Sequence, residues 1–443
     1  MTRWRFAMQF RFIAWFGVVT CMSAAAVVLA QRPTSTRTGT TPAVPADRAG
    51  QGDGAPVVPF KIAVPDAVLT DLKDRLARAR LPDELEGVGW QYGTNEAYLR
   101  ELIAYWRDKF NWREQERRLN QFEQYKTNIA GLDIHFIHRR SKHPNALPLM
   151  LTHGWPGSFM EFSKMIGPLT DPVAHGGRAE DAFDVVVPSV PGYGFSDRPR
   201  KPGYNARQMA GLMVALMARL GYNRYGAQGG DIGAGISVEM ALQDPAHMVG
   251  LHLNMCNAPP PQGTGDPNAG VPPAELARMR ERQEYFSDEE RGYSHIQGTK
   301  PQTVGYALND SPVGLAAWIV EKFRTWCDCG GDVEKKFSKD DLLTNITIYW
   351  VTQTPTSAAR YYYEGRHTPG RPADVRIEVP TGCAVFPKEL FYSPRSWLER
   401  RYNLRRFTDM PRGGHFAALE EPDLLVNDLR AFYRDLRGSA TRR

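Results

Sequence analysis

Cysteine is scarce in this chain, with five in 443 residues. After residue 30 only Cys256, Cys327, Cys329 and Cys383 remain, too few in so long a chain for a disulfide framework. Cys327 and Cys329 stand too close in sequence for an unstrained disulfide, and they lack the second pair that a zinc site wants. The four are expected to be small apolar fillers or surface thiols. The ten histidines show no metal-ligand spacing either, so no metal site is expected. A strong excess of one charge is also missing. The formal net charge is +6, but residues 1–31 hold Arg3, Arg5 and Arg11 and no acid. Without them, 52 basic residues face 49 acidic ones, a net of +3. No basic stripe interleaves with aromatics, which excludes nucleic acid as the expected partner. Internal repeats are absent.

What is present begins with a leader. In "MTRWRFAMQFRFIAWFGVVTCMSAAAVVLAQ" a basic start precedes an apolar stretch from Phe12 to Ala30 that ends in small residues. This is the order of a secretory signal peptide, with cleavage expected after Ala30 and export as its consequence. Retention of residues 12–30 as a membrane anchor is the alternative. Residues 31–57, rich in Pro, Thr, Gly and Ala, read as a flexible linker.

Apolar residues then recur at helical spacing in "PDAVLTDLKDRLARARL" (65–81) and in "TNEAYLRELIAYWRDKF" (94–110), with Thr94 as the expected N-cap of the second. The period changes at Tyr125, where alternation predicts a hairpin turning at Ala130-Gly131. Apolar runs at 147–155, 183–191, 224–230 and 248–255 alternate with helical patterns at 159–170, 206–220 and 232–243. That alternation predicts an α/β class fold with a mostly parallel sheet covered on both faces. Residues 256–373 break it with a helical, aromatic-rich block, and strand character resumes at 375–387 and 404–416. The predicted organisation is an N-terminal segment over 58–145, a core over 146–255 and 374–437, and an inserted helical lid over 256–373.

Within that frame "GGDIG" (229–233) stands at a strand-to-helix corner. Small residues permit the tight turn, and the turn presents Asp231 at the carboxyl end of the sheet, where open α/β sheets bind ligands. A carboxylate is already an anion at neutral pH and suits attack on an electrophilic sp3 carbon. The plainer alternative is that Asp231 caps the following helix. "HGWPGS" (153–158) follows another strand and suits a loop whose backbone N–H, at Trp155, faces a developing oxyanion, with Ile232 as the second donor. Glu389 in "FPKEL" and His415 in "GGHF" follow the last two strands. The order Asp, acid, His is that of an α/β-hydrolase triad. If the leaving group is an epoxide oxygen, the site needs an acid, and tyrosine stays protonated at neutral pH. Two lid segments, "GYSHIQGTKPQT" (292–303) and "RYYYEGRH" (360–367), carry tyrosines.

These motifs, together with "PFKIAV", "YWRDKFNW", "GLDIHFIH", "PSVPGYGFS", "ALNDSPVGLAAWIVEKF" and "DLLTNITIYW", resemble the microsomal-type epoxide hydrolases over about residues 58–435. The resemblance implies an α/β-hydrolase fold and conversion of epoxides to vicinal diols without metal or organic cofactor. It further implies Asp231 as nucleophile, His415 as general base, Glu389 as the acid orienting it, and Tyr293 and Tyr362 as the ring-opening acids. The partner it implies is a small epoxide, which the lid's aromatics make apolar or aryl. This chain departs from the family at Ile232, where the family often has Trp, and at Lys388, beside Glu389. A haloalkane or haloacid dehalogenase using the same nucleophile and a silent binding protein on the same fold are the alternatives.

The export reading fixes one outcome. Protein recovered from the native host should begin near Gln31 on N-terminal sequencing; Met1 in a membrane fraction would establish the anchor instead.

Overall fold

The computed structural model describes residues 54–439, apart from 264, 288–289 and 373. The leader and nearly all of the linker lie outside them. Nine strands form one sheet: β1 (Val58–Phe60), β2 (Gln124–Ile129), β3 (Leu132–Arg139), β4 (Leu147–Thr152), β5 (Phe183–Pro188), β6 (Tyr225–Gly229), β7 (Met248–Leu253), β8 (Ile377–Val385) and β9 (Tyr402–Asp409). Their order across the sheet is β1-β2-β3-β5-β4-β6-β7-β8-β9. The first three pair antiparallel and β3 meets β5 antiparallel, while every pair from β5 to β9 is parallel. The hairpin turns at Ala130-Gly131, both at positive φ, as the alternation predicts. Runs such as Val185, Val186 and Val187 in β5 are fully buried, because helices cover both faces of a parallel sheet.

Ahead of the core lie α1 (Asp66–Ala77), α2 (Glu96–Asp108) and α3 (Trp112–Leu119). The core helices are α4 (Ser163–Thr170), α5 (Ala206–Arg219) and α6 (Asp231–Gln243). Between β7 and β8 come α7 (Pro273–Tyr285), α8 (Gly292–Thr299), α9 (Pro301–Asp310), α10 (Pro312–Trp326), α11 (Lys339–Thr352) and α12 (Pro355–His367). The remaining helices are α13 (Arg395–Arg401), α14 (Ala417–Glu420) and α15 (Pro422–Ser439).

The N-terminal helices serve the inserted block. Leu99, Leu102, Ile103 and Trp106 share one face of α2 and are all buried. Burial of each of the three aliphatic side chains contributes about 1.5–3 kcal/mol. Trp106 Nε1 donates to Thr347 Oγ1 of α11 at 3.1 Å, and the Thr94 hydroxyl donates to the Ala317 carbonyl of α10 at 2.7 Å. Thr94 is therefore spent on the lid, and the N-cap of α2 is Asn95, whose side chain accepts the Tyr98 N–H at 3.1 Å. The shift of one residue follows from which side chain has a better partner elsewhere.

The cysteine expectation is corrected. Cys256 bonds to Cys383, and Cys327 bonds to Cys329. Distance in sequence misleads in both cases. The parallel pairing of β7 with β8 sets Leu253 opposite Cys383, so a thiol three residues past β7 returns onto its neighbour. In the second pair the turn holds the Cα atoms 5.3 Å apart, inside the range that a disulfide spans.

Close approach of β4 to α6 depends on Gly233. A Cβ there would stand 1.9 Å from the Thr152 carbonyl oxygen, a backbone atom with no room to move. Gly235, one half-turn on, would meet nothing nearer than 3.7 Å. Gly233→Ala is expected to cost about 3 kcal/mol, at the upper end for overpacking. Gly235→Ala should be neutral or stabilising by up to about 1 kcal/mol, from helix propensity. Urea denaturation of the two variants checks the contrast; equal stabilities would refute the packing account.

Candidate active site

The corner after β6 places Asp231. Gly229 ends the strand, Gly230 caps α6, and Asp231 is the helix's first residue, at φ +48°. A non-glycine residue in that left-handed region stores strain that the surroundings must hold. No side chain caps α6, so Asp231 is not there as a cap. Its carboxylate turns toward the loop after β4 and accepts the Trp155 N–H on Oδ1 at 2.8 Å. The approach requires glycine at 154, since a Cβ there would lie 2.3 Å from Oδ1. The positive end of the α6 dipole also favours an anion at this point. Ile232 is buried next in line, and its N–H belongs to the first helical turn, where donors lack intrahelical acceptors.

His415 comes from the loop after β9. Its Nε2 lies 3.5 Å from Asp231 Oδ2, and its Nδ1 lies 2.7 Å from Glu389 Oε1. A carboxylate can only accept, so Nδ1 carries the hydrogen in this contact. Glu389 Oε1 also accepts the Leu390 N–H at 2.6 Å. Lys388 donates its backbone N–H to Gly413, so the residue ties the Glu389 and His415 loops together. Burial works against a charged imidazole here, but the Glu389 and Asp231 carboxylates outweigh it and hold His415 well above the ordinary histidine range.

The tyrosines meet over the same carboxylate from the inserted block. Tyr293 of α8 stacks on the Trp155 ring, with centroids 4.7 Å apart and planes at 7°. Tyr362 of α12 meets Tyr293 edge-on, centroids 5.7 Å apart. Burial and the charge of Asp231 raise the pKa of both phenols, so both are firmly protonated. The Tyr362 hydroxyl is buried beside the Tyr293 phenol. Among the three consecutive tyrosines Tyr362 is the one facing Trp155 and Tyr293, while Tyr363 stacks on His367 at the surface. The structure thus brings Asp231, His415, Glu389, Tyr293, Tyr362, Trp155 and Ile232 to one place.

Residues 57–162 match the family described as epoxide hydrolase N terminus, and residues 148–364 match the alpha/beta hydrolase fold. Epoxide hydrolase 1 of Sus scrofa is 43% identical over 412 residues, covering 88% of this chain and 91% of its own length. This chain belongs to the epoxide hydrolase family. Solved epoxide hydrolases share its whole architecture. The juvenile hormone epoxide hydrolase of the silkworm Bombyx mori superposes with a TM-score of 0.80 at 36% identity, covering 87% of this chain and 96% of that one. The Aspergillus niger epoxide hydrolase does so with a TM-score of 0.76 at 34% identity, covering 86% and 97%.

This epoxide hydrolase also gathers at the site residues that spacing does not reveal. Trp326, at the end of α10, packs edge-on to His415, and its carbonyl accepts the His415 N–H at 3.0 Å. Glu420 accepts the N–H groups of Asp328, Gly414 and Phe416 at 2.8–2.9 Å, tying the histidine loop to the lid. Glu161 lines the same small cavity as Asp231 and His415. A Cβ on Gly157 would overlap its carboxyl at 1.3 Å, so a second glycine of "HGWPGS" keeps space for a carboxyl group. Each of these glutamates sits in an otherwise unremarkable helical pattern; only its neighbours in space distinguish it.

Glu161 has a pH signature. Burial raises its pKa from the ordinary 4.5 to about 8, with His415 opposing and Asp231 reinforcing the shift. The folded state therefore keeps a proton that the unfolded chain releases. Stability from this group is full below pH 4.5 and is lost as pH rises through about 8. Glu161→Gln cannot ionise, so its Tm relative to wild type should climb between pH 5 and pH 9. A difference that stays flat across those melts would refute the raised pKa.

Proposed function

We propose that this protein converts epoxides to vicinal diols through a covalent ester on Asp231. The observation that carries the reading is the pairing of a half-buried carboxylate, already held by a backbone donor, with two protonated phenols above it. Oδ1 is engaged by Trp155, which leaves Oδ2 as the attacking atom. It strikes an epoxide carbon from behind while Tyr293 and Tyr362 bind the ring oxygen and one of them protonates it. General-acid assistance of this kind contributes about 10²–10⁴-fold.

The same step switches the base on. Before attack, Asp231 and Glu389 together keep His415 charged. Esterification removes the charge of Asp231, so His415 loses one of its two stabilising anions, sheds its proton to restore the phenol, and becomes a base. Water activated at Nε2 then attacks Cγ, and charge develops on Oδ1, where the Trp155 N–H already points and Ile232 supplies a second donor. A dehalogenase reading has no comparable support, since Ile232 offers no indole to a halide and the two phenols suit an oxygen leaving group. The rings of Trp155, Trp326, Tyr293, Tyr362 and Phe416 around the centre favour apolar or aryl epoxides.

We place the enzyme outside the cytoplasm, after cleavage near Ala30. Two disulfides support this, because such bonds persist in oxidising compartments.

The covalent step has a direct test. In one turnover with excess enzyme in oxygen-18 water, the diol should be largely unlabelled and the label should appear in the peptide containing Asp231. His415→Gln should accumulate an enzyme heavier by one epoxide, whereas Asp231→Ala should form neither adduct nor diol. Fully labelled diol in the first turnover, with no adduct in the histidine variant, would falsify the ester.

A further inference from the structure

The ester pathway needs one water in one orientation, yet His415 supplies only a single contact to it. Thr152, Gly154, Glu161, Asp231, Asn254 and His415 line a cavity of about 20 Å³ that neither Tyr293 nor Tyr362 borders. That volume holds a water and excludes a substrate. Two of its polar groups find no protein partner. The Thr152 hydroxyl is buried with no partner, and the described residues offer the Glu161 carboxyl no hydrogen bond.

Glu161 is fixed in this position from several sides. It lies in a short 3₁₀ turn (Phe159–Phe162) after "HGWPGS", with its N–H on the Ser158 carbonyl at 3.0 Å. The loop before it is braced from α11, where Asn345 donates to the Pro156 carbonyl and Tyr349 to the Gly157 carbonyl, both at 2.8 Å. The missing side chain of Gly157 is the space its carboxyl fills. A carboxyl placed only for packing would not call for a braced loop, a cleared glycine and a cavity shared with the nucleophile and base.

We propose that Glu161 holds the hydrolytic water, accepting its second hydrogen while His415 takes the first; this rests on the covalent-ester reading above. Burial keeps Glu161 protonated at neutral pH, and a neutral carboxyl still offers its carbonyl oxygen as an acceptor. As the water oxygen bonds to Cγ of the ester, one proton passes to Nε2 of His415 and the Cγ–Oδ1 π pair moves onto Oδ1. The second hydrogen stays on the new oxygen and points at Glu161. Collapse breaks the bond from Cγ to the alkyl oxygen, which takes the His415 proton and departs as the diol. The carboxyl proton left on Asp231 then moves to Nε2, restoring carboxylate and imidazolium. A neutral acceptor has an advantage over an anion here, because it adds no negative charge beside the developing oxyanion.

The assignment separates the two half-reactions. Rapid-quench mass spectrometry of the full-length enzyme with styrene oxide in excess follows ester formation and ester loss as two rates. Glu161→Leu should form ester within about 3-fold of the wild-type rate and hydrolyse it about 10- to 100-fold more slowly. Glu161→Gln keeps a carbonyl acceptor in the same place and should recover most of the hydrolysis. Should the leucine variant fail to fold, Glu161→Ala carries the same expectation of normal ester formation and slow hydrolysis. Ester hydrolysed at the wild-type rate by a variant lacking the acceptor overturns this proposal alone, as does an equal fall in both rates. Ester in no variant, His415→Gln included, overturns the covalent reading and this proposal with it.

Discussion

A half-buried carboxylate at a strand-to-helix corner is the constraint on which the rest of this site depends. An isolated anion taken out of water is expensive, and such a group neutralises itself unless the surroundings compensate it. Around Asp231 the compensation comes from four directions: the Trp155 N–H, the first turn of α6, the charged His415 ring and, through it, Glu389. Each needs close backbone approach, which explains the glycines. Gly154 admits the carboxylate beside its loop, and Gly233 lets α6 rest against β4. The strained φ of Asp231 is tolerated because these contacts fix it.

In the covalent-ester mechanism proposed above, the same compensation makes the chemistry sequential. While Asp231 is an anion it keeps the histidine protonated, and a protonated histidine cannot activate water. Attack on the substrate spends that charge and so releases the base. The two phenols do not line the water cavity, so in that mechanism ring opening and ester hydrolysis draw on different groups around one carboxylate. The lid takes part in both, through the two tyrosines and through the Trp326 carbonyl that holds the histidine loop. The N-terminal helices in turn brace the lid through Trp106 and Thr94.

Much of this was legible in the residues. Hydrophobic period alone distinguished strands from helices, because a sheet covered on both faces must be made of short apolar runs. The corner at 229–233 and the histidine loop announced themselves by small residues around one ionisable side chain. Where reading failed, a partner distant in sequence was responsible. Thr94 gave up the helix cap because Ala317 offered its hydroxyl a better bond. Four cysteines read as free thiols form two disulfides, one because neighbouring parallel strands bring residues 127 apart into contact.

The sequence by itself determined the α/β class and the inserted helical block, and it singled out Asp231, Glu389 and His415 as the candidate triad, since these follow from local period and from motifs a few residues long. The tertiary structure alone decided which tyrosine of "RYYYE" faces the site, which oxygen of Asp231 meets Trp155 and which meets His415, and that Glu161 and Glu420 stand beside the histidine loop and its cavity. Those outcomes turn on the rotation of a helix and on carboxyl groups meeting partners from other elements. A side chain's surroundings, which set its charge and its reach, are made by the fold and are not written beside it in the chain.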